Sequence, residues 1–365
     1  MRVVLDARTV TPHYPGIGRY TFELARGLAS LTELTLLVNP QPTADEKFDL
    51  TALPAKRVMV PYGPRALAQQ WDLPSRLRSL TLDVYHSPYY FMPYWPGRPT
   101  VLTVYDLIPL YSGEFSALRR AALLAMHGLA FRAARRIIAI SQWVREDFIE
   151  QFRLRPERIV AIPLAVDAHF APQPVAMVET FRQQMNLPRE YLLTVGGNKP
   201  HKNLPRLIQA YGALPESTPP LILAGSHDAE RFPEARQAAQ GLGKRVIFWG
   251  RVSEAQLPWL YAGASAYVNA SLMEGYGLPV LEAMACGTPV ACAESPGLTE
   301  AAGDCALFFN PKDLDSIADA LKKILADSTL RADLRARGLA RAQTQTWARV
   351  AQATLQVYTE TLANL

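Results

Sequence analysis

Residues 271–290 read Ser271-Leu-Met-Glu274-Gly275-Tyr276-Gly277-Leu278-Pro279-Val280-Leu281-Glu282-Ala283-Met-Ala-Cys286-Gly287-Thr288-Pro289-Val290. Short apolar runs stand before and after the centre of this stretch, at 266–269 and 289–292. Pro279 lies where a helix can begin, and the Gly-Thr-Pro triplet ends that helix before the second run. Strand, glycine loop, helix and strand in this order form the repeating unit of a parallel sheet.

The same alternation of short apolar runs and longer amphipathic stretches continues through the chain. In the second half it predicts strands at 192–196, 221–224, 246–249, 266–269, 289–292 and 306–309. In the first half it predicts strands at 3–5, 34–38, 57–60, 84–86, 101–105, 137–140 and 159–162. Because these strands are apolar nearly throughout, helices must cover both faces of each sheet. We therefore predict an α/β fold of two Rossmann-like, doubly wound parallel-sheet domains facing a central cleft.

The composition agrees with a packed two-domain protein, since 365 residues with 49% apolar and 19% charged residues exceed one ordinary core. No biased tract occurs, which excludes disordered and collagenous proteins. Cys286, Cys292 and Cys305 lack Cys-x-x-Cys spacing, so neither a disulfide scaffold nor a zinc ribbon is expected. The sequence shows neither a signal peptide nor eighteen uninterrupted apolar residues, and we expect a cytoplasmic protein.

The domain boundary is expected at 167–175, where Phe170-Ala-Pro-Gln-Pro174 interrupts both periodicities. We predict a first domain of residues 1–168 and a second of residues 169–346. Spacing alone does not decide which domain the last helix, about 347–362, packs on. We assign residues 347–365 to the first domain.

The net charge of +5 arises entirely in residues 1–168, which hold 20 Lys and Arg against 15 Asp and Glu. No basic stripe interleaved with aromatic residues accompanies this excess, so nucleic acid is not an expected partner. A helix predicted around 118–136 carries Arg119, Arg120, Arg132, Arg135 and Arg136. The excess suits peripheral contact with an anionic membrane or a phosphorylated acceptor, and an ordinary solvated surface is the alternative.

Three loops follow predicted strands at the carboxyl ends, where open parallel sheets bind ligands. In the loop at 11–19, Gly16 and Gly18 permit positive φ and close approach of a phosphate, or they serve a tight structural turn. The loop at 195–204 predicts an anion pocket in which Lys202 is a point charge near a helix start. Asn203 beside it could equally be a helix cap.

The third loop lies within the quoted stretch, where Glu274 and Glu282 bracket the helix start. For Glu282 the simple explanation is a first-turn carboxylate that stabilises the helix dipole. That explanation does not cover Glu274, which stands in a glycine loop. Its carboxylate could accept hydrogen bonds from a ligand rich in hydroxyl groups.

The spacing Glu274-x7-Glu282, followed by Ala-Met-Ala-Cys-Gly-Thr-Pro-Val, resembles the signature of the retaining nucleotide-sugar glycosyltransferases of family 4, which have the GT-B fold. The Lys202 loop, Trp249-Gly-Arg-Val-Ser253 and the ending at 347–358 are also similar to this family. The resemblance covers essentially the whole chain, and most strongly its second half. Within the family it points to the bacterial mannosyltransferases.

The resemblance implies a role for each matching residue. Glu274 would contact hydroxyls of the transferred sugar, Lys202 would neutralise the diphosphate, and Glu282 would accept from the ribose. Backbone groups following Glu274 would bind sugar and diphosphate, and the backbone near Arg251 would read the base. The implied donor-binding residues are Gly16, Gly18, Gly197, Asn198, His201, Lys202, Arg251, Val252, Ser271, Glu274, Gly275, Tyr276, Gly277, Leu278 and Glu282.

The first half, which the family uses for the acceptor, matches less closely. Tyr105 stands where a histidine often precedes Asp106. Asp106 would orient the acceptor or simply cap a loop. His86, Tyr89 and Tyr90 would contact the acceptor, with core packing as the alternative.

We therefore predict a retaining hexosyltransferase, with mannose as the favoured sugar, that uses a nucleoside-diphosphate sugar as co-substrate and a glycan or lipid-linked glycan as acceptor. Glu274, Lys202 and Asp106 are the predicted catalytic residues, and neither a metal nor another cofactor is expected. The alternatives are a nucleotide-sugar epimerase or sugar phosphorylase on the same fold, and a protein that binds sugar nucleotide without catalysis.

Overall fold

The computed structural model describes residues 1–40, 48–113 and 115–363. Residues 364 and 365, the end of the predicted first domain, lie outside the described residues. The chain divides into an N-terminal unit, Met1–Leu164 with Trp347–Leu365, and a C-terminal unit, Ala165–Thr346. None of the helices in the described ranges is long and apolar enough to cross a membrane.

The N-terminal unit is built on a seven-stranded parallel sheet in the order β3-β2-β1-β4-β5-β6-β7. Its strands are β1 Arg2–Asp6, β2 Glu33–Val38, β3 Lys56–Met59, β4 Val84–Ser87, β5 Thr100–Val104, β6 Arg136–Ala139 and β7 Ile159–Ala161. Its helices include α1 Pro15–Leu28, α2 Asp72–Ser79, α3 Ile108–Tyr111, α4 Ala117–Ala133 and α5 Gln142–Phe152. The central strands are buried on both faces, as their continuous apolar sequence requires.

The C-terminal unit repeats this design with a six-stranded parallel sheet in the order β10-β9-β8-β11-β12-β13. Its strands are β8 Leu192–Val195, β9 Leu221–Ala224, β10 Val246–Gly250, β11 Ala266–Asn269, β12 Val290–Ala293 and β13 Leu307–Phe309. Its helices are α6 Val175–Gln184, α7 Leu204–Gly212, α8 Glu234–Ala238, α9 Leu257–Ala262, α10 Leu278–Ala285, α11 Leu298–Ala302, α12 Leu314–Ala326 and α13 Ser328–Thr344. Each predicted strand is present to within one residue at either end, and the prediction of two parallel-sheet Rossmann-like domains is confirmed.

The last helix, α14 Trp347–Ala363, packs on the N-terminal unit. A Cβ placed on Gly27 of α1 would lie 2.6 Å from the Cβ of Ala351, so only glycine lets these helices approach so closely. The Tyr358 hydroxyl lies 2.6 Å from Nδ1 of His86 on β4. These contacts settle which unit holds the helix, a question that spacing left open.

Strand order reverses at one point in each sheet. In the N-terminal unit β1 lies between β2 and β4, and in the C-terminal unit β8 lies between β9 and β11. At such a switch point the loops leave neighbouring strands in opposite directions, and a crevice opens beyond the carboxyl ends. The loops after β8 and β11 carry Lys202 and Glu274.

Candidate functional site

The crevice of the C-terminal unit forms where β8 and β11 separate. Their pairing joins Leu192 to Ala266 and Leu193 to Tyr267. One residue further along, the Thr194 hydroxyl donates to the carbonyl of Val268 at 2.7 Å. Beyond this bond the chains leave in opposite directions, and the two loops line the gap.

Lys202 and Glu274 meet across this gap as an ion pair, with Nζ 2.6 Å from Oε1. The Ser271 hydroxyl donates to the same carboxylate oxygen at 2.6 Å. Burial alone would raise the pKa of Glu274, but the charge of Lys202 and the two hydrogen bonds outweigh burial and hold this pKa below its usual value. The carboxylate is therefore ionised at neutral pH and accepts hydrogen bonds only.

The turn that carries Lys202 is fastened to the neighbouring loop. Asn203 adopts a left-handed conformation, and its side-chain amide donates to the carbonyls of Ala270 at 3.1 Å and Pro311 at 2.8 Å. The backbone N–H of Leu272 donates to the carbonyl of His201 at 2.8 Å. Asn203 stands at the N-cap position of α7 but makes no capping bond with its side chain, so the helix-cap alternative is wrong for its amide. It clamps the lysine turn to the end of β11.

The loop that carries Glu274 is held from its other side by residues 295–297. The backbone N–H of Glu274 donates to the carbonyl of Pro296 at 3.3 Å. The Ser295 hydroxyl donates to the carbonyl of Ser271 at 2.8 Å. Ser271 thus orients the Glu274 carboxylate through its hydroxyl while its own carbonyl is fixed.

The N-terminus of α10 follows this loop directly. Gly277 has φ +110°, and a Cβ there would lie 2.8 Å from a methyl group of Leu298, so glycine is required on both counts. Helix α10 begins at Leu278, and the first N–H groups of a helix lack partners within it and carry partial positive charge. An anion at this crevice would meet those groups and Lys202 together.

Glu282 lies in the second turn of α10, because the helix begins at Leu278. The expectation of a first-turn carboxylate that stabilises the dipole is therefore wrong. Its side chain is buried, and Oε2 accepts a hydrogen bond from the Tyr261 hydroxyl at 2.9 Å. Tyr261 is a positioning contact that the sequence pattern did not single out, since an apolar-looking helix residue carries no motif.

Other predicted donor residues lie on the loops that follow β10 and β11. Tyr276 is buried, and its hydroxyl has no hydrogen-bond partner among the described residues. Arg251 is exposed and Val252 half-buried just after β10, where Gly250 has φ +84°. Gly275 precedes Tyr276 in the loop that leads to α10.

The side-chain amide of Asn198 forms its hydrogen bonds within the protein. Its side-chain NH2 donates to the carbonyls of Asp228 and Phe232, both at 2.9 Å, and its oxygen accepts from the N–H of Asp228 at 2.9 Å. A Cβ on the neighbouring Gly197 would lie 3.2 Å from the carbonyl of Ser226. Both residues hold the loops after β8 and β9 together, and a donor contact for them remains a prediction.

Gly16 and Gly18 belong to the N-terminal unit and lie inside the first turn of α1, which begins at Pro15. Neither has the positive φ that the sequence analysis expected. The missing Cβ of Gly18 would stand 2.8 Å from the carbonyl of Thr9, so this glycine allows close packing of α1 on the preceding loop. Gly16 faces open space.

His86 is fully buried, and its ring nitrogens lie 2.6 Å from the Tyr358 hydroxyl and 2.8 Å from the Thr103 hydroxyl. Burial lowers the pKa of His86 to about 3, so the ring is neutral. An acceptor contact is inconsistent with this position, and the packing alternative is supported. Half-buried Tyr90 stacks on buried His127 with ring centroids 4.0 Å apart.

Asp106 follows β5, and its carboxylate accepts from the backbone N–H of Ile108 at 3.0 Å. This bond is the loop cap predicted as the alternative to acceptor orientation. Tyr89 is buried after β4 and packs against Tyr14, with ring centroids 5.3 Å apart. Arg65 beside these rings was missed, because no motif surrounds it in the sequence.

The part of the chain that the structure describes contains no group of three or more His, Cys, Asp or Glu side chains arranged to hold a metal ion. The three cysteines are buried free thiols.

Comparisons with known proteins assign the two halves separately. The model of Glycosyltransferase Family 4 matches residues 14–170, and that of Glycosyl transferases group 1 matches residues 178–341. O-antigen chain mannosyltransferase B of Escherichia coli is 30% identical over 380 positions, covering 98% of this chain and 99% of the relative. D-inositol 3-phosphate glycosyltransferase of Salinispora tropica is 28% identical, covering 98% and 85%. The structure of Alr3699/HepE from Anabaena in complex with UDP and glucose has the same fold, with TM-score 0.80 and 20% identity over 98% of this chain and 99% of that one.

Proposed function

This chain belongs to glycosyltransferase family 4, and on that premise we propose that it transfers a hexose from a nucleoside-diphosphate sugar to a glycan or lipid-linked glycan in surface polysaccharide synthesis. The relative in Escherichia coli is named as an O-antigen chain mannosyltransferase, which supports mannose as the hexose. Guanosine-diphosphate mannose is the donor we propose.

The observation that carries the proposal is the Lys202–Glu274 ion pair at the switch point of the second sheet. One Lys202 N–H is used by Glu274, and the other two can bind phosphate oxygens. The Glu274 carboxylate has further acceptor capacity for sugar hydroxyls. A cation beside an ionised carboxylate suits a ligand that is anionic at one end and rich in hydroxyl groups at the other, as a sugar diphosphate is.

In the transfer step, the bond from the anomeric carbon to the diphosphate oxygen breaks and a bond to the acceptor oxygen forms. Negative charge develops on the diphosphate, where Lys202 and the N-terminus of α10 at Leu278 stabilise it. We propose that the acceptor attacks from the face that the diphosphate leaves, with retention, and that its proton passes to the departing phosphate oxygen. This electrostatic arrangement supports a reaction without a metal ion.

We also propose that the protein contacts an anionic membrane peripherally at its cytoplasmic face through α4. This helix exposes Leu118 and Leu124 beside Arg119 and Arg132, which combines apolar side chains with positive charge. Flotation with vesicles of neutral lipid, with and without acidic lipid, tests this contact. Binding that does not depend on acidic lipid would refute it.

The proposed function is tested by thermal unfolding with a panel of nucleoside diphosphates and their sugars, followed by transfer assays on glycan acceptors. A true donor stabilises the fold by mass action. We expect the largest shift with guanosine diphosphate and its mannose ester, and nucleoside diphosphate release that requires acceptor. Isomerisation of the donor, dependence on inorganic phosphate, or binding without turnover would each replace the proposal by one of the alternatives.

A further inference from the structure

Arg65 lies between two aromatic rings of the N-terminal unit. Its guanidinium carbon is 5.3 Å from the centroid of Tyr14 and 5.5 Å from that of Phe91. Tyr89 packs edge-on against Tyr14, and its side chain lies close enough to raise the pKa of the Arg65 guanidinium. We call these four residues the Arg65 platform. The two rings restrict the direction of a guanidinium that is otherwise exposed.

The platform stands where this sheet is expected to bind ligands. Tyr14 lies between β1 and α1, while Tyr89 and Phe91 follow β4. Strands β1 and β4 are the pair at which the order of the first sheet reverses. The platform therefore lies at the carboxyl edge of the switch point, the position that Lys202 and Glu274 occupy in the second sheet.

The aromatic rings contact the Arg65 guanidinium, but no carboxylate within the described ranges neutralises its charge. Within the described ranges it makes no ion pair with a carboxylate, and its contacts are the aromatic side chains named above. A guanidinium has five N–H donors, and cation–π contact with a ring uses none of them as a hydrogen bond. A planar fork of donors fixed in this way suits two oxygens of one anion.

A second guanidinium, that of Arg8, is connected to the platform through Gln69. Arg8 is fully buried, donates to Asp6 at 2.8 and 2.6 Å, and leaves its Nη1 without a partner among the described residues. Gln69 accepts from Arg8 at 3.1 Å and donates to the carbonyl of Pro64, the residue before Arg65. Burial raises the pKa of Tyr14 while Arg65 and Arg8 oppose the rise, so both charges act near its hydroxyl, which stays a neutral donor.

We propose that Arg65 recognises an oxyanion, a phosphate or carboxylate carried by the acceptor, and that Tyr14 and Phe91 support the sugar beside it. The inference rests on the proposed function, because it names the acceptor class of that enzyme. Arg65 is then a specificity-determining residue, and the acceptor is an acidic or phosphorylated glycan in place of a neutral one.

The test measures binding of three probes by calorimetry: mannose 6-phosphate, glucuronate and neutral methyl mannoside. We expect the better charged probe to bind the wild-type protein about tenfold or more tightly than methyl mannoside, and the preference to weaken with salt. The phosphate and carboxylate probes distinguish the two sources of the oxyanion. Equal affinity for charged and neutral probes would overturn the proposal.

The variants Arg65→Gln and Arg65→Lys separate recognition from support of the aromatic rings. Arg65→Gln should abolish the preference for charged probes, and Arg65→Lys should keep part of it, because lysine retains the charge but not the fork. Arg78→Gln, at an exposed position on α2, is the control and should change nothing. If Arg65→Gln lowers only the unfolding temperature and leaves the preference intact, Arg65 is structural and the proposal fails.

The same variants keep this proposal distinct from the proposed function. Stabilisation by nucleoside diphosphate concerns the C-terminal unit, and Arg65→Gln should leave it unchanged. If the wild-type protein does not bind nucleoside diphosphate, the transferase proposal fails. The affinities for the charged and neutral probes still test the role of Arg65 in that case. Nucleoside diphosphate binding by a wild-type protein that shows no preference for charged probes would count against the platform alone.

Discussion

A Cβ placed on Gly297 would lie 2.3 Å from the carbonyl oxygen of Glu274 and 2.9 Å from its carbonyl carbon. The backbone of the loop after β12 therefore sits directly against the backbone that carries the Glu274 carboxylate. Gly297 has φ +81°, a conformation that favours glycine for a second reason. Gly297 therefore helps to set the position of the Glu274 backbone.

Gly297→Ala should displace Glu274 and strain the backbone. We expect a loss of about 1–3 kcal/mol in the free energy of unfolding and a fall in kcat of at least about tenfold. Denaturant unfolding and steady-state kinetics measure the two effects. Gly128→Ala on α4 is the control, because a Cβ there has open space within 4 Å and helical φ, and it should leave kcat unchanged.

Asn198→Ala distinguishes a loop staple from a donor contact. The substitution removes three hydrogen bonds to residues 228–232, and we expect a loss of about 1–3 kcal/mol in the free energy of unfolding. Because the amide is used by the protein, the affinity for nucleoside diphosphate should change by less than about threefold, which is under half of the free energy of a tenfold change. A large loss of affinity with unchanged stability would restore the donor role.

The sheets could be predicted from the sequence because strands buried on both faces leave uninterrupted apolar runs. The proximity of Lys202 and Glu274 could be predicted for a related reason. Both residues follow strands that end at the same edge of the second sheet. Parallel topology gathers the carboxyl ends of strands, so residues 72 positions apart meet there. Pattern and topology together thus bring the two loops of the candidate site to one edge of the sheet.

Contacts that depend on the third dimension could not be predicted in this way. The amphipathic pattern of α14 shows that it packs but not on which unit, and His86 offered no sign that Tyr358 would bind it. Gly297 and Arg65 belong to no sequence motif. Gly297 matters because its missing side chain lets two loops approach, and Arg65 contacts a ring that is distant in sequence. The first turn of α1 was predicted as a loop because glycines weaken the helical signal.

His86 should make the protein sensitive to acid. Burial lowers its pKa to about 3 from 6.5, so between these values the unfolded chain binds a proton that the folded protein does not. The contribution of His86 to the free energy of unfolding is fully present above pH 6.5. It falls as pH decreases through that window, by up to about 1.4 kcal/mol per pH unit, and stops changing near pH 3. Urea unfolding at pH 7, 6, 5 and 4 measures the slope.

His86→Gln should reduce this slope by nearly one proton while lowering stability at pH 7. Buried His127, whose pKa burial lowers to about 4, retains a contribution of its own. Exposed His13→Gln is the control and should leave the wild-type slope. An unchanged slope in His86→Gln would show that His86 titrates normally in the folded protein.

Lys202 and Glu274 should be needed for turnover more than for folding. Lys202→Ala removes the proposed preorganised donor to the diphosphate, and we expect kcat to fall about 10²–10³-fold. Glu274→Gln keeps the shape but cannot accept as a carboxylate, and it should reduce kcat/KM for the donor. Lys322→Ala breaks an exposed ion pair of the same unit, with Asp319 at 3.1 Å, and should change neither quantity.

The pH dependence of stability in Lys202→Ala provides an independent check. Without the lysine, burial is opposed only by the Ser271 hydrogen bond and the charge of His201, and we expect it to raise the pKa of Glu274 above that of the unfolded chain. A carboxyl group with a raised folded pKa binds a proton more readily when folded, so this variant should gain stability relative to the wild type as pH falls through that pKa. The same pH dependence of stability in both proteins would show that Lys202 does not set the pKa of Glu274. Full turnover in Lys202→Ala would show that the ion pair does not serve the proposed reaction.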